Sequence, residues 1–191
     1  MRRPAPVAVT AAAWLTLALA LPRAHAEDMA PPLLPAQGSL QAAFAPWDNL
    51  EELVTDAIDQ ARKQVLVQAY LLTSKKLAHA LIAAQRRGVD VRVLIDAEQL
   101  VRAASSTAPE LADAGIAIWV ETKYQNAHNK VIVIDAGTPD AMLITGSYNF
   151  TWTAQHKNAE NILIARKNPA LAARYAFNWE RHRKEAMPFK K

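Results

Sequence analysis

From residue 40 onward the chain alternates two hydrophobic patterns. Short continuous apolar runs predict strands, and apolar positions recurring every three or four residues predict helices. Residues 40–45 read as the first strand. A helix follows from Asp48, with Glu51 three residues on as a capping-box pair. Leu50, Leu53, Val54, Ala57, Ile58 and Ala61 give that helix one apolar face. Residues 65–72 read as a strand, 75–87 as a helix stopped by Gly88, and 91–95 as a buried strand. A more polar helical stretch ends near Gly115, and residues 116–120 form another strand. The second half is denser in strands, at residues 128–135, 142–145 and 161–165. Ala136-Gly137-Thr138-Pro139-Asp140 is the turn between the first two of these. A last helix runs from about Pro169 to Lys184, and no internal repeat is visible. This order predicts an α/β fold, a mixed β-sheet flanked by helices on both faces.

The first 26 residues do not follow this alternation. Arg2 and Arg3 precede an uncharged run of 15 residues, 7–21, then Pro22 and the small-x-small sequence Ala24-His25-Ala26. This is the form of a secretory signal peptide, with cleavage expected after Ala26 and a periplasmic or secreted product. Fifteen residues are fewer than the roughly 20 that cross a bilayer as a helix. The expected organisation is a signal peptide at 1–26, an extended Pro-rich lead-in at 27–38 (Pro31, Pro32, Pro35), and one domain over 39–191.

Composition narrows the chemistry. The 191 residues include no cysteine, which excludes a disulfide framework, Cys-ligated zinc and a thiol nucleophile. Charged residues at 21% and hydrophobic ones at 51% are ordinary globular values. Of the 22 basic residues the leader removes Arg2, Arg3 and Arg23, which leaves 19 against 18 acidic ones. The remaining basicity is concentrated from Arg166 to Lys191, where eight Lys and Arg face only Glu180 and Glu185. That segment is either a solvated helix face or a surface for a polyanion.

One constellation carries chemistry. On the strand predicted at 128–135, His128 and Lys130 share a face, and Asp135 has the opposite parity, which suits a structural strand-end role. A hairpin through Gly137 returns Gly146-Ser147-Tyr148-Asn149 beside His128. Imidazole, ammonium, hydroxyl and carboxamide then form one neighbourhood suited to a phosphate. Glu160 is the best candidate to fix the tautomer of His128; an exposed strand-end acid is the alternative. Trp152, Tyr124 and Trp119 are candidates to stack bases or to pack at the rim. His79 and His182 read as polar or solvated helix residues, and His156 as a second imidazole near the motif.

His128-x-Lys130-x4-Asp135 followed by Gly146-Ser147-x-Asn149 resembles the signature of the phospholipase D superfamily. Val67-Gln68-Ala69-Tyr70, residues 87–91, Ala114-Gly115-Ile116 and Glu160-Asn161 extend the likeness to its small secreted bacterial endonucleases, from about Leu40 to Trp179. The stretch between Asp135 and Gly146 is longer than the family pattern, with the extra residues around Thr138-Pro139-Asp140. The resemblance implies a phospholipase D-like α/β sandwich and a phosphodiesterase. It implies His128 as the nucleophile that forms a phosphohistidine, and Lys130 and Asn149 as phosphate ligands supported by Ser147. It implies Glu160 as the acid that orients His128, with Asp135 and Gly146 structural. No metal or other cofactor is expected.

In-line displacement needs a nucleophile on one side of phosphorus and an acid on the other, and one imidazole cannot fill both places. The chain has one copy of the motif, so the expectation is an isologous homodimer with two copies of His128 facing across the axis. His156 is the rival acid. The expected substrate is nucleic acid, DNA favoured, with little sequence preference. A phospholipid phosphodiesterase and a catalytically weak nucleic-acid-binding protein are the alternatives.

Overall fold

The computed structural model describes residues 30–102 and 105–190, without the side chains of Gln99 and Arg102. The signal peptide expected at 1–26 lies outside the described residues.

The strands are β1 (Ser39–Ala45), β2 (Gln64–Ala69), β3 (Asp90–Asp96), β4 (Ala117–Glu121), β5 (Lys130–Ile134), β6 (Met142–Gly146), β7 (Glu160–Arg166) and β8 (Met187–Pro188). They form one sheet in the order β1-β7-β6-β5-β2-β3-β4-β8. β2, β3 and β4 are parallel, each joined to the next through helices. β5, β6, β7 and β1 are antiparallel neighbours. The two halves meet where β5 runs antiparallel to β2, with Ala69 opposite Lys130. The carboxyl ends of β2 to β4, the start of β5, the end of β6 and the start of β7 therefore share one rim. That rim includes the crevice beyond the carboxyl ends of parallel strands, where open α/β sheets bind ligands.

Helices α1 (Leu50–Asp59) and α2 (Lys75–Arg86) cover one face of the sheet. Their apolar stripes close over Val65, Val67, Val93, Ile95, Ile132 and Ile144. The other face is packed by the long helix α6 (Pro169–Glu185), whose fully buried Trp179 meets Leu66, Leu94 and Val133. Trp179 Nε1 also donates to the carbonyl of Val67 at 2.9 Å. Two short helices, α3 (Ala97–Arg102) and α4 (Ala108–Asp113), link β3 to β4, and α5 (Trp152–His156) links β6 to β7. Among the described residues no helix is long and apolar enough to cross a membrane.

Three local expectations change. Helix α1 is capped by Asn49 rather than Asp48: Asn49 accepts from the Glu52 amide at 3.2 Å and donates back to Glu52 Oε2 at 2.7 Å. The reciprocal pair exists one residue further on, and Asp48 instead accepts from the amide of Phe44 at 2.8 Å. Strand β5 begins at Lys130, so His128 stands in the approach to the strand rather than in it. His182 is not solvated, because it lies on the sheet-facing side of α6, 2.6 Å from buried Glu121. The longer β5–β6 connection is absorbed by a turn with Gly137 at φ 81°, and the register Val131↔Thr145 to Ile134↔Met142 is unbroken.

Candidate active site

The rim gathers the motif residues from three directions. His128 is exposed at the end of the segment leading into β5. Its ring lies against Tyr70, at the end of β2, with centroids 4.3 Å apart and planes at 53°. Tyr70 is tied to this segment by its backbone, which donates to the carbonyl of Asn129 at 2.8 Å. Lys130, two residues on, is only 6% exposed. Its Nζ donates to the carbonyl of His128 at 2.9 Å and sits 4.7 Å above the Tyr70 ring. Tyr70 is thus the platform beneath both groups. In the sequence it was visible only as part of the Val67–Tyr70 resemblance, with no pattern pointing to contact with the histidine.

Ser147 and Asn149 follow β6. Gly146 is required because β6 and β7 approach closely there: a Cβ would meet the carbonyl oxygen of Asn161 at 2.2 Å. That oxygen accepts from the amides of Ser147 and Tyr148 at 3.1 and 3.3 Å, which fixes the turn displaying Asn149. Asn149 is half-buried, and its Oδ1 has no hydrogen-bond partner among the described residues. That oxygen only accepts, so the Asn149 group able to donate to a phosphate oxygen is its amide nitrogen.

Ser147 Oγ donates to Glu160 Oε2 at 2.5 Å and accepts from the Asn161 amide at 3.0 Å. Glu160 Oε1 accepts from Asn158 Nδ2 at 2.9 Å. Both Glu160 oxygens are therefore engaged inside the chain, and no hydrogen bond joins them to His128 among the described residues. Asn158 is a residue of this cluster that the sequence did not single out.

Electrostatics centre on Lys130. Burial lowers its ammonium from the usual value to about 8, while the nearby charges of Glu160 and Asp96 oppose the fall. An ammonium with this little hydration binds an anion strongly when one is supplied.

Asp135 closes the opposite end of β5 with φ 52°, accepting from the amides of Arg62, Lys63 and Gln64 at 2.7–3.2 Å. His156 is exposed on α5 and lies beside Trp152, with centroids 4.8 Å apart. Trp152 and Tyr124 are exposed, Tyr124 with its ring tilted against His182, whereas Trp119 packs edge-on against Trp179. His79 is exposed and 3.4 Å from Glu110. Among the described residues no group of three or more His, Asp or Glu could hold a metal ion.

Comparison with known proteins fits this geometry. Residues 54–183 match the family described as cardiolipin synthase, PLD-like domain. A phospholipase D of Rickettsia bellii is 35% identical over 144 residues, covering 75% of this chain and 69% of the relative. A mitochondrial cardiolipin hydrolase of Xenopus laevis is 36% identical over 104 residues, covering 54% of this chain and 47% of the relative. Among solved structures, Nuc of Salmonella typhimurium, a phospholipase D family member, aligns with a TM-score of 0.74 at 31% identity. That alignment covers 80% of this chain and 99% of that one. NucT from Helicobacter pylori shares the fold at 20% identity, with a TM-score of 0.69 over 79% of this chain and 100% of that one. The chain belongs to the phospholipase D superfamily and is a phosphodiesterase of its PLD-like fold.

Proposed function

We propose that this phosphodiesterase is an exported, metal-independent nuclease that cleaves DNA with little sequence preference through a phosphohistidine at His128. The observation that carries the reading is the pairing of an exposed imidazole with a buried ammonium, His128 and Lys130, on one tyrosine platform. The imidazole nitrogen attacks phosphorus. The P–N bond forms as the P–O bond to the leaving oxygen breaks, and a second imidazole opposite gives that oxygen its proton. Water then attacks the phosphohistidine and passes its proton to the second imidazole. The P–N bond breaks, and a phosphate monoester leaves. Lys130 and Asn149 hold the non-bridging oxygens, with Ser147 in support, and the cations supply the charge stabilisation.

The second imidazole is His128 of a second copy. Two features support an isologous pair. The described chain presents one such imidazole on Tyr70, and the sheet face beside it is uncovered. Phe44 and Leu163 are exposed on β1 and β7, and Phe44 is in register with Asn161, the neighbour of Ser147 and Glu160. Such an apolar edge continuous with the site suits burial by its own symmetry mate. Glu160 is held by Ser147 and Asn158 within one chain, so its orienting contact with His128 is assigned to the assembled pair.

DNA is favoured over lipid by the likeness to Nuc and by α6, where Arg174, Arg181 and Lys184 are all exposed. The names of the phospholipase D and cardiolipin hydrolase relatives support the second reading, a phospholipid phosphodiesterase. The signal-peptide form of residues 1–26 supports export to the periplasm or outside the cell. DNA digestion in EDTA, run on the parent and His128→Ala together, is the test. Clearing by the parent alone is expected. No clearing, with head-group release from phosphatidylcholine vesicles, would transfer the assignment to lipid. Light scattering on the active protein checks the pair, and a strictly monomeric active enzyme would redirect the acid role to His156.

A further inference from the structure

The segment carrying His128, residues 122–129, runs without regular structure from the end of β4 to the start of β5. Buried carboxylates on neighbouring strands fix both of its ends. Glu121, the last residue of β4, stands in register with Asp96, the last residue of β3. Glu121 accepts from Gln68 Nε2 at 3.1 and 3.2 Å and lies 2.6 Å from His182 Nδ1. Asp96 is 1% exposed, and its Oδ2 accepts from the amide of Ala127 at 2.7 Å. Ala127 is the residue before His128. Two buried acids side by side repel and are costly to desolvate, so each position depends on the partners it holds. Glu121 is held to strand and helix, whereas Asp96 grips the segment itself. The outer part is pinned more loosely, by Lys123 and Tyr124 donating to exposed Glu185 at 2.7 and 3.1 Å.

We infer that Asp96 is a positioning residue for the reaction at His128, holding the imidazole over Tyr70 through the Ala127 amide. The inference rests on the reading of His128 as the reacting group. Asp96 also reaches the site electrostatically. The groups facing Lys130 are Asp96 from β3, Glu160 from β7, the Tyr70 ring from β2 and the carbonyl of His128. Glu160 and, to a smaller extent, Asp96 oppose the lowering of the ammonium's pKa by burial. One carboxylate therefore sets the place of the nucleophile and supports the charge of its neighbour.

The test is steady-state hydrolysis of bis(4-nitrophenyl) phosphate by the full chain, followed across pH, with thermal midpoints measured in parallel. Asp96→Ala lowers kcat about 100-fold with KM within about threefold, the size expected for a displacement of about 1 Å at a reacting group. Asp96→Asn keeps an oxygen for the Ala127 amide, so kcat at neutral pH stays within about tenfold of the parent. Its alkaline limb moves to lower pH, because a negative neighbour of Lys130 is gone. A purely structural role would lower both thermal midpoints and leave kcat per folded molecule and the alkaline limb unmoved. That result overturns the inference. If Asp96→Ala does not fold, the limb of Asp96→Asn decides alone. Equal hydrolysis by the parent and His128→Ala removes the functional reading. An active parent, an inactive His128→Ala and indifferent Asp96 variants remove only the positioning role.

Discussion

The two ends of β5 are both built from polar residues, and they treat them in opposite ways. At the far end, Asp135 turns its carboxylate back onto the amides of Arg62, Lys63 and Gln64, and its own amide donates to the carbonyl of Gln64. Its acceptor capacity is used within the fold. At the near end, Lys130 Nζ donates to a single carbonyl, Asn149 Oδ1 has no partner among the described residues, and His128 is exposed. Five residues apart in sequence, one end spends its polar groups on folding, and the other is the end to which the proposed reaction assigns its phosphate ligands. A satisfied carboxylate stabilises; an underused ammonium in a dry place destabilises until an anion arrives. The motif His-x-Lys-x4-Asp therefore joins a site and a structural clasp, and its three named residues are not one catalytic set.

The largest effect should come from His128→Ala. Loss of the proposed nucleophile should cost about 10⁴-fold or more in phosphodiester hydrolysis. The side chain is exposed, so stability changes by no more than about 0.5 kcal/mol. Equal loss of activity and fold in a melting experiment would break the distinction between the ends. Next, Lys130→Met removes the proposed phosphate ligand and should lower kcat about 10²–10³-fold. It also removes a buried charge, so its thermal midpoint should rise at neutral pH. The sign follows from the lowered pKa. Below about 8 the folded protein carries a proton on Lys130 that burial disfavours, and between about 8 and the ordinary lysine range the unfolded chain binds more protons than the folded one. Lys130's contribution therefore makes the parent more stable as pH rises through that window, while activity falls above about 8 as the ammonium is lost. Lys130→Met should abolish both trends.

Asp135→Ala sharpens the comparison from the other side. It leaves three backbone amides without their acceptor and costs about 3 kcal/mol of stability. Chemical denaturation measures that cost. Activity per folded molecule should stay within about twofold of the parent, because the carboxylate lies at the opposite end of the strand from His128. A hundredfold fall at unchanged stability would put Asp135 back into the site.

Much of this was legible from residue order. The apolar runs locate all seven longer strands, and α1, α2 and α6 follow from their periodic apolar positions or end signals. The glycine before Ser147 and the hairpin bring Asn149 to the His128 end, because a two-residue period and one turn suffice to set register. What escaped has physical reasons. A strand's first residue is set by its neighbour: β5 starts at Lys130 because β2 ends opposite it at Ala69, which no pattern within 128–135 reveals. Helix α5 has five residues, too few to show a period, and only the Thr151 side chain accepting from the Ala154 amide marks it. His182 looked solvated because its neighbours are charged. Its spacing from Trp179 was the available signal, since residues three apart share a helix face. Tyr70 meets His128, and Asp96 meets the Ala127 amide, from other strands, and periodicity along a single chain does not show contacts of that kind.

The smallest predicted change tests where the unsatisfied end stops. Tyr148 lies inside Gly-Ser-x-Asn, yet its ring is buried in the core, edge-on to Phe150 at 6.1 Å. Its hydroxyl, like Asn149 Oδ1, has no hydrogen-bond partner among the described residues. Burial pushes the phenol's pKa well up, and the charges of Glu51 and Glu160 add to the rise, so it stays protonated wherever the enzyme works. If unsatisfied groups near the rim are all kept for ligand, Tyr148→Phe should lower kcat by tenfold or more. If only those facing outward are, the variant removes a hydroxyl that was desolvated without return. Stability should then be unchanged or higher by up to about 1 kcal/mol, with kcat within about twofold. The inward direction of the ring favours the second outcome, because a group that reaches no solvent-facing surface cannot exchange a hydrogen bond with an arriving phosphate. Melting and turnover of this one variant separate the two.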